Sequence, residues 1–380
     1  MKTPATSKHF KRIIDPVSGA PHYVLATRLT EYQQGFYFVN NSMTRDGRYL
    51  WFYATVNPVY TTFDRNLGYV DFLTDEVVIC YDAFAGAPYV DPDTGDVYFV
   101  RDKSLYIRSP GKDERARKLC TLDIPGYVRN IACHLTRLSD KKSFFLDIGR
   151  DDFGFIQGVI NSETGVFTEW GQTSLTANHG QINPKNDSLA LYGIDSGDDL
   201  KTGRVFGVPY SEEGYLERLW TVNSKGEHTM HPPRDNYATH EWWSADGEKI
   251  YYVNDMGIQR LNIHTGEHIC VHECYPWHAH TTADEKYYVY DEKVLDRFGG
   301  RWFRGCPAAV KFYNKETDKE ITLVTEMSEN KFSPQNQCSY HIDPHPRFSD
   351  NEKYIIFTTT ELGGCDLAVA DVAELVKLTK

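Results

Sequence analysis

The sequence predicts an all-β protein: a seven-bladed β-propeller whose four-stranded antiparallel blades surround a central channel. Two recurring signatures and a length carry this reading. A turn rich in Asp, Gly, Asn or Lys, followed by an alternating aromatic or β-branched run, occurs seven times. A strand, a tight turn and another strand follow each of the first six copies. Two hairpins make a four-stranded blade, and seven blades of roughly 50 residues use up the chain. The 380 residues are therefore read as one domain, 1–380.

The first signature reads RDGRYLWFYA around Asp46, DTGDVYFV around Asp93 and SDKKSFFLDI around Asp140. It returns as PKNDSLALYG around Asn186, ADGEKIYYVND around Asp246, ADEKYYVYD around Asp284 and SDNEKYIIFTTT around Asp350. The second reads FLTDEVVICY, IRSPGKDERARKL, NSETGVFTEW, VNSKGEHTM, NIHTGEHICV and YNKETDKEITLV, and the seventh copy leads into a closing strand, DLAVADV. Asp-Gly and Thr-Gly pairs supply the positive φ of two-residue hairpin turns. The spacing between turns lengthens in the fourth repeat (Ile194 to Leu216) and the sixth (Glu292 to Ala309), which predicts loops at blade edges. Helix is expected only in the last residues, VAELVKLTK.

Composition agrees. The chain is 41% hydrophobic and 14% aromatic, with 25 Tyr and 20 Phe, enough for a large strand-built core. A net charge of −12 argues against a general nucleic-acid binder, since counterion release needs a basic surface. A local basic cleft is a separate matter, and Arg204, Arg218, Arg301 and Arg304 are its candidates. The N-terminus shows no apolar signal region, and no stretch is long and apolar enough to span a membrane. The eight cysteines form no CxxC pair and are read as reduced, mostly core thiols of a cytoplasmic protein.

The repeat also serves as a ruler. His134, His179, His240, His278, His280 and His345 each lie four to seven positions before their turn, on the strand expected to line the channel. An even scatter of 14 histidines would put about one in such windows. Histidines from several blades are thus expected at one mouth of the channel, where imidazoles and an amide or carboxylate oxygen suit a divalent transition metal. His9, His22, His228, His231, His264, His268 and His272 are expected on the surface.

Three segments extend the reading: THEWW with His240, LERLWTVNSKG with Arg218, and QCSYHIDPHPRFS with His341 and His345. They resemble the oligogalacturonate lyases, seven-bladed propellers that degrade short pectin-derived uronides. The resemblance implies a divalent metal, most often Mn²⁺, held by His280, Gln337, His341 and His345, with His240 as base and Arg218 as its partner. His179 and Tyr340 are the implied substrate-binding residues. Three residues, Ile342, Asp343 and Pro344, separate the last two histidines where the family has one, so either Gln337 with His341 or Asp343 completes the site.

The chemistry suits these residues. Cleaving a 4-linked uronide by β-elimination removes the C5 proton, α to a carboxylate. A cation neutralises the charge that builds there, a neutral imidazole takes the proton, and a guanidinium can hold a carboxylate. Water, His240 and Tyr340 are candidates to protonate the leaving oxygen. Two readings therefore stand: a metal-dependent lyase of oligouronides, and a non-catalytic scaffold or sugar-binding propeller with structural histidines.

Overall fold

A computed structural model describes the chain except residues 56–64, 86, 125–127, 132–133, 151–153, 175, 197–217, 233–237, 294–307 and 328–342. The described chain is all-β apart from one terminal helix, Val372–Leu378, capped by the Asp371 carboxylate on the backbone N–H groups of Ala373 and Glu374. No described helix is long and apolar enough to cross a membrane.

The strands form six sheets, and four of them are meanders in chain order. Residues 89–121 make one such sheet, 176–230 another, 239–273 a third and 276–324 a fourth; a five-stranded sheet covers 128–173. The remaining sheet has nine strands and joins the two ends of the chain. In it, the hairpin Phe10–Ile14 and Pro21–Leu25 pairs antiparallel with Cys365–Asp371, which also meets Tyr32–Gln34 in a short parallel contact. The closing strand expected at residues 366–372 thus exists, as Cys365–Asp371, but its outer neighbours come from the N-terminus.

Six of the seven first-signature turns fall between the first two strands of a run, and the Asp140 turn between the second and third strands of the five-stranded sheet; all six second-signature turns fall between the last two. Their geometry corrects the two-residue expectation. In six of the seven, one backbone N–H bonds to the carbonyl five residues on: Thr44 to Tyr49, Asp91 to Asp96, Leu138 to Ser143, Ser244 to Lys249, Thr282 to Tyr287 and Ser349 to Tyr354. Four residues therefore form each loop. The Asp46 carboxylate accepts from the Arg48 N–H and the Thr44 hydroxyl, and Asp246 and Asp284 repeat the arrangement. Gly47 and Gly247 supply the positive φ, while Lys141, Glu285 and Glu352 adopt it in the copies without glycine.

Successive turns touch one another. Arg45 pairs with Asp93, Asp93 lies 3.9 Å from Lys141, and Ser139 N–H bonds to Asp187 at 3.1 Å. Asn183 reaches the Gly247 carbonyl at 2.8 Å, and Lys249 reaches Glu285 at 2.8 Å. Glu352 then accepts the Ala283 N–H, and Asp350 returns to Arg45 at 3.0 Å. The apolar core lies between neighbouring sheets. Trp242 and Tyr251, for example, pack with Tyr288 and Tyr290 of the following sheet.

Burial of a charge marks the joint between the chain ends. Arg28 donates through Nη2 to both oxygens of Asp366, at 2.8 and 2.7 Å, and Asp366 is fully buried. Replacing Arg28 with Met leaves that carboxylate alone. The variant is expected to lose about 2 kcal/mol, below the usual cost of breaking a buried pair because Arg28 is partly exposed. Chemical denaturation of the two proteins checks this.

Candidate functional site: a histidine cluster with a carboxylate-backed metal pocket

The site is built by a backbone irregularity used three times. Along the strand Thr176–Asn183, Asn178 pairs with Gly193 and Gln181 with Leu191, so one extra residue sits in the first strand. Thr239–Trp243 repeats this, with Thr239 opposite Val253 and Trp242 opposite Tyr251. Pro276–Thr281 does so again, with Pro276 opposite Glu292 and Ala279 opposite Tyr290. These bulges hold His179, His240 and His278, and bulges re-aim side chains out of the pleat. His179, His240 and His345 all have positive φ (60°, 50° and 46°), a conformation rare for residues other than glycine that survives where packing over-determines it.

The rings converge. His240 and His278 have centroids 4.1 Å apart, His278 and His345 4.3 Å, His179 and His240 5.7 Å, and His134 and His179 5.4 Å. Tyr37 stands among all five, 4.7 Å from His345 and 5.0 Å from His134. Burial holds His134 and His240 well below the ordinary histidine pKa, so both are neutral imidazoles. Nδ1 of His240 is buried and makes no hydrogen bond.

Two buried carboxylates organise the cluster. Glu241 accepts from Nδ1 of His179 at 2.9 Å and from Nε of Arg218 at 3.1 Å. Burial alone raises its pKa, but Arg218 and His179 outweigh that and bring it down to about 2. With Nδ1 donating, Nε2 of His179 accepts the Tyr37 hydroxyl at 2.9 Å. Gly193 is needed here, because a Cβ at that position would lie 2.3 Å from the Glu241 carboxylate. The second carboxylate, Asp291, accepts from Nδ1 of His278 at 2.8 Å and from the His278 backbone N–H.

That second pairing has a chemical consequence. It puts the His278 proton on Nδ1, which leaves Nε2 as a lone-pair donor, buried and without a hydrogen-bond partner. The arrangement is that of a metal-binding histidine oriented by a carboxylate behind it. His278, Asp343 and His345 offer ligand atoms that all lie within 4.8 Å of one another, and all three residues are buried. Two imidazoles and a carboxylate suit a divalent ion such as Mn²⁺, Fe²⁺ or Zn²⁺.

Of the residues anticipated from sequence, His179, Arg218, His240 and His345 meet in this cluster, and Asp343, the open alternative, is there too. Gln337, Tyr340 and His341 lie outside the described residues, as do Arg204, Arg301 and Arg304. His280 is placed elsewhere. The bulge ends at Ala279, so His280 points between the sheets, its ring 6.4 Å from Trp242 and 6.1 Å from Phe348, and His278 takes the place expected for it. Two histidines expected on the surface are buried: His22, bonded to Glu361 at 2.6 Å, and His231, bonded to the Thr221 hydroxyl at 2.9 Å. Sequence reasoning missed Tyr37, Glu241 and Asp291. Glu241 follows His240 directly and was the most accessible of the three. Tyr37 lies nine positions before its turn, outside the histidine window.

No protein-family profile matches the chain, and no curated protein does. Solved structures do. An oligogalacturonate lyase in complex with manganese superimposes with a TM-score of 0.74 at 17% identity, covering 99% of this chain and 100% of that one. The fold is that of the oligogalacturonate lyases. A second such lyase, from Vibrio parahaemolyticus, matches with a TM-score of 0.74 at 16% identity over 96% of each chain. A puromycin hydrolase mutant is a more distant likeness, with a TM-score of 0.55 at 10% identity over 82% of this chain and 48% of that one.

Two variants probe the buried carboxyls. Asp291→Asn weakens the acceptor behind His278 and is expected to lower divalent-metal affinity by roughly 10- to 100-fold, read by calorimetry. Asp147 is fully buried, its Oδ2 accepting the Gly180 N–H, and burial raises its pKa from 3.8 to about 7. The native state therefore holds a proton that the unfolded chain releases. The stability contributed by this carboxyl is fully present below about pH 4 and is lost as pH rises through about 7. Asp147→Asn removes this dependence, and its thermal midpoint is expected to exceed that of the wild type at about pH 8 and not at about pH 4.

Proposed function

We propose that the protein is a divalent-metal-dependent lyase that cleaves short uronic-acid oligosaccharides, of oligogalacturonate type, by β-elimination in the cytoplasm. The observation that carries this reading is the neutral His240 imidazole, its Nδ1 unbonded, against a separate donor set of His278, Asp343 and His345. A base and a cation site side by side are what proton removal next to a carboxylate requires. The likeness to two oligogalacturonate lyases, one of them a manganese complex, supports the same reaction and that ion.

We read the fold as seven blades in a closed ring. The nine-stranded sheet divides at the parallel contact of Tyr32–Gln34 with Cys365–Asp371, and the turn-to-turn contacts run from the first copy to the seventh and back. The histidine cluster then lies at one mouth of the channel.

In this mechanism His278, Asp343 and His345 would hold the ion, which when bound supplies a Lewis acid for the substrate carboxylate. His240 removes the C5 proton. Its burial and its ring contacts with Trp277 and Phe38 keep water from competing for that nitrogen. Arg218 acts as a positioning residue, since its Nε is committed to Glu241, which fixes the tautomer of His179 and so aims Nε2 at Tyr37. His179 and Tyr37, joined by their hydrogen bond, offer polar groups beside His240 to which a sugar hydroxyl can bond.

Incubation with a panel of uronides and Mn²⁺ tests the reaction through the absorbance of the unsaturated product. Absence of product together with absence of stoichiometric metal would leave a non-catalytic module. His240→Ala is expected to lose about 10²-fold or more in turnover while keeping its metal. His278→Ala and His345→Ala should lose metal and activity together, whereas His280→Ala should keep its metal. Elemental analysis separates these cases; a metal-free His240→Ala protein would move His240 into the coordination shell.

A further inference from the structure

Further along the same first strands lie three more polar side chains, each two residues on from a histidine of the cluster. Trp242 follows His240, His280 follows His278, and Arg347 follows His345. The strands Thr239–Trp243 and Pro276–Thr281 pack on each other, as do Pro276–Thr281 and Arg347–Phe348. The His280 ring lies between those of Trp242 and Phe348.

Among the described residues, all three carry a buried nitrogen with no hydrogen-bond partner: Nε1 of Trp242, Nδ1 of His280 and Nη1 of Arg347. Trp242 is 2% exposed and Arg347 7%. Arg347 bonds through Nε to the Phe348 carbonyl, 3.0 Å away. Among the described residues it has no carboxylate within ion-pair distance. Asp350, three residues on, acts on this charge through space, while its own bond is to Arg45.

An arginine does not shed its proton in a protein, so this charge is permanent. A buried cation without a counter-charge is strongly disfavoured, and burial is ordinarily tolerated only when a partner satisfies it. Guanidinium and indole nitrogens are donors only, and a neutral imidazole can add one more. The ligand that answers such a set is an anion with several lone pairs.

We propose that Arg347, with His280 on the neighbouring strand, forms a second binding site, distinct from the histidine cluster, that takes a small anion. Its source is either the carboxylate of a bound uronide or a free halide. The site does not depend on the lyase reading, and its test involves no turnover.

The test titrates the purified protein, in halide-free sodium HEPES at constant ionic strength, with sodium bromide and separately with sodium galacturonate. Galacturonate has no glycosidic bond to cleave. A saturable rise of several degrees in the thermal midpoint is expected with one of them, absent in Arg347→Gln and partly kept in Arg347→Lys. A rise with bromide assigns the site to an inorganic anion; a rise with galacturonate alone assigns it to the sugar carboxylate. Should Arg347→Gln fail to fold, a bromide-soaked wild-type crystal is decisive. An anomalous peak within hydrogen-bond reach of the Arg347 guanidinium supports the site. No saturable rise, a rise identical in Arg347→Gln, or no such peak overturns it.

Discussion

The structure depends on how the two ends of one chain meet. Every sheet but one is made from consecutive strands, so local hairpins account for each of them separately. The exception is the joint in which Phe10–Ile14 and Pro21–Leu25 cover the edge of Cys365–Asp371. Without that hairpin the last run would present an open strand edge, the arrangement that invites pairing with another chain. The pair of Arg28 with the buried Asp366 stands where the hairpin, the first run and the last strand come together. Gly364 lets the guanidinium in, since a Cβ there would collide with it. One ion pair thus fixes the direction in which the first run departs from the last strand.

Joining the ends brings the first strands of the runs to one region, and the bulges then decide what those strands offer there. An unbroken ladder would alternate side chains between the two faces of the sheet, into the apolar layers on either side. One extra residue at His179, His240 and His278 breaks that alternation and lets imidazoles point along the inner edge instead. The positive φ at three of the histidines is a strain that the flanking ladders hold in place. The same irregularity separates His278 from His280. One falls inside the bulge and the other just beyond it, so two residues of like chemistry face different surroundings.

The carboxylates behind the rings turn a group of histidines into distinct parts. Glu241, ionised by Arg218 and His179, fixes one tautomer; Asp291 fixes another on His278. His240 has neither and keeps an unbonded Nδ1. Chemically alike side chains are thereby differentiated by the partner each does or does not have. Tyr37 and Phe38 complete the cluster from the first run, Tyr37 among the five rings and Phe38 packed with Trp242 and Tyr288.

The amino-acid sequence alone determined the strand order, the positions of all seven repeat turns and the phase in which the histidines recur. These follow from short-range physics: alternating apolar residues make strands, and Asp, Asn and Gly make turns where they stand in the chain. It also brought His179, His240 and His345 together, because a fixed distance from a turn is a fixed depth along a strand; Arg218 was legible only through the resemblance of its segment. The tertiary structure alone decided the rest. Which of His278 and His280 reaches the cluster depends on a bulge whose register is set by the neighbouring strand. Tyr37, Asp291 and the N-terminal hairpin depend on contacts between residues far apart in sequence. Asp366 meets Arg28 across 338 positions, and no periodicity within either segment records a partner that lies at the other end of the chain.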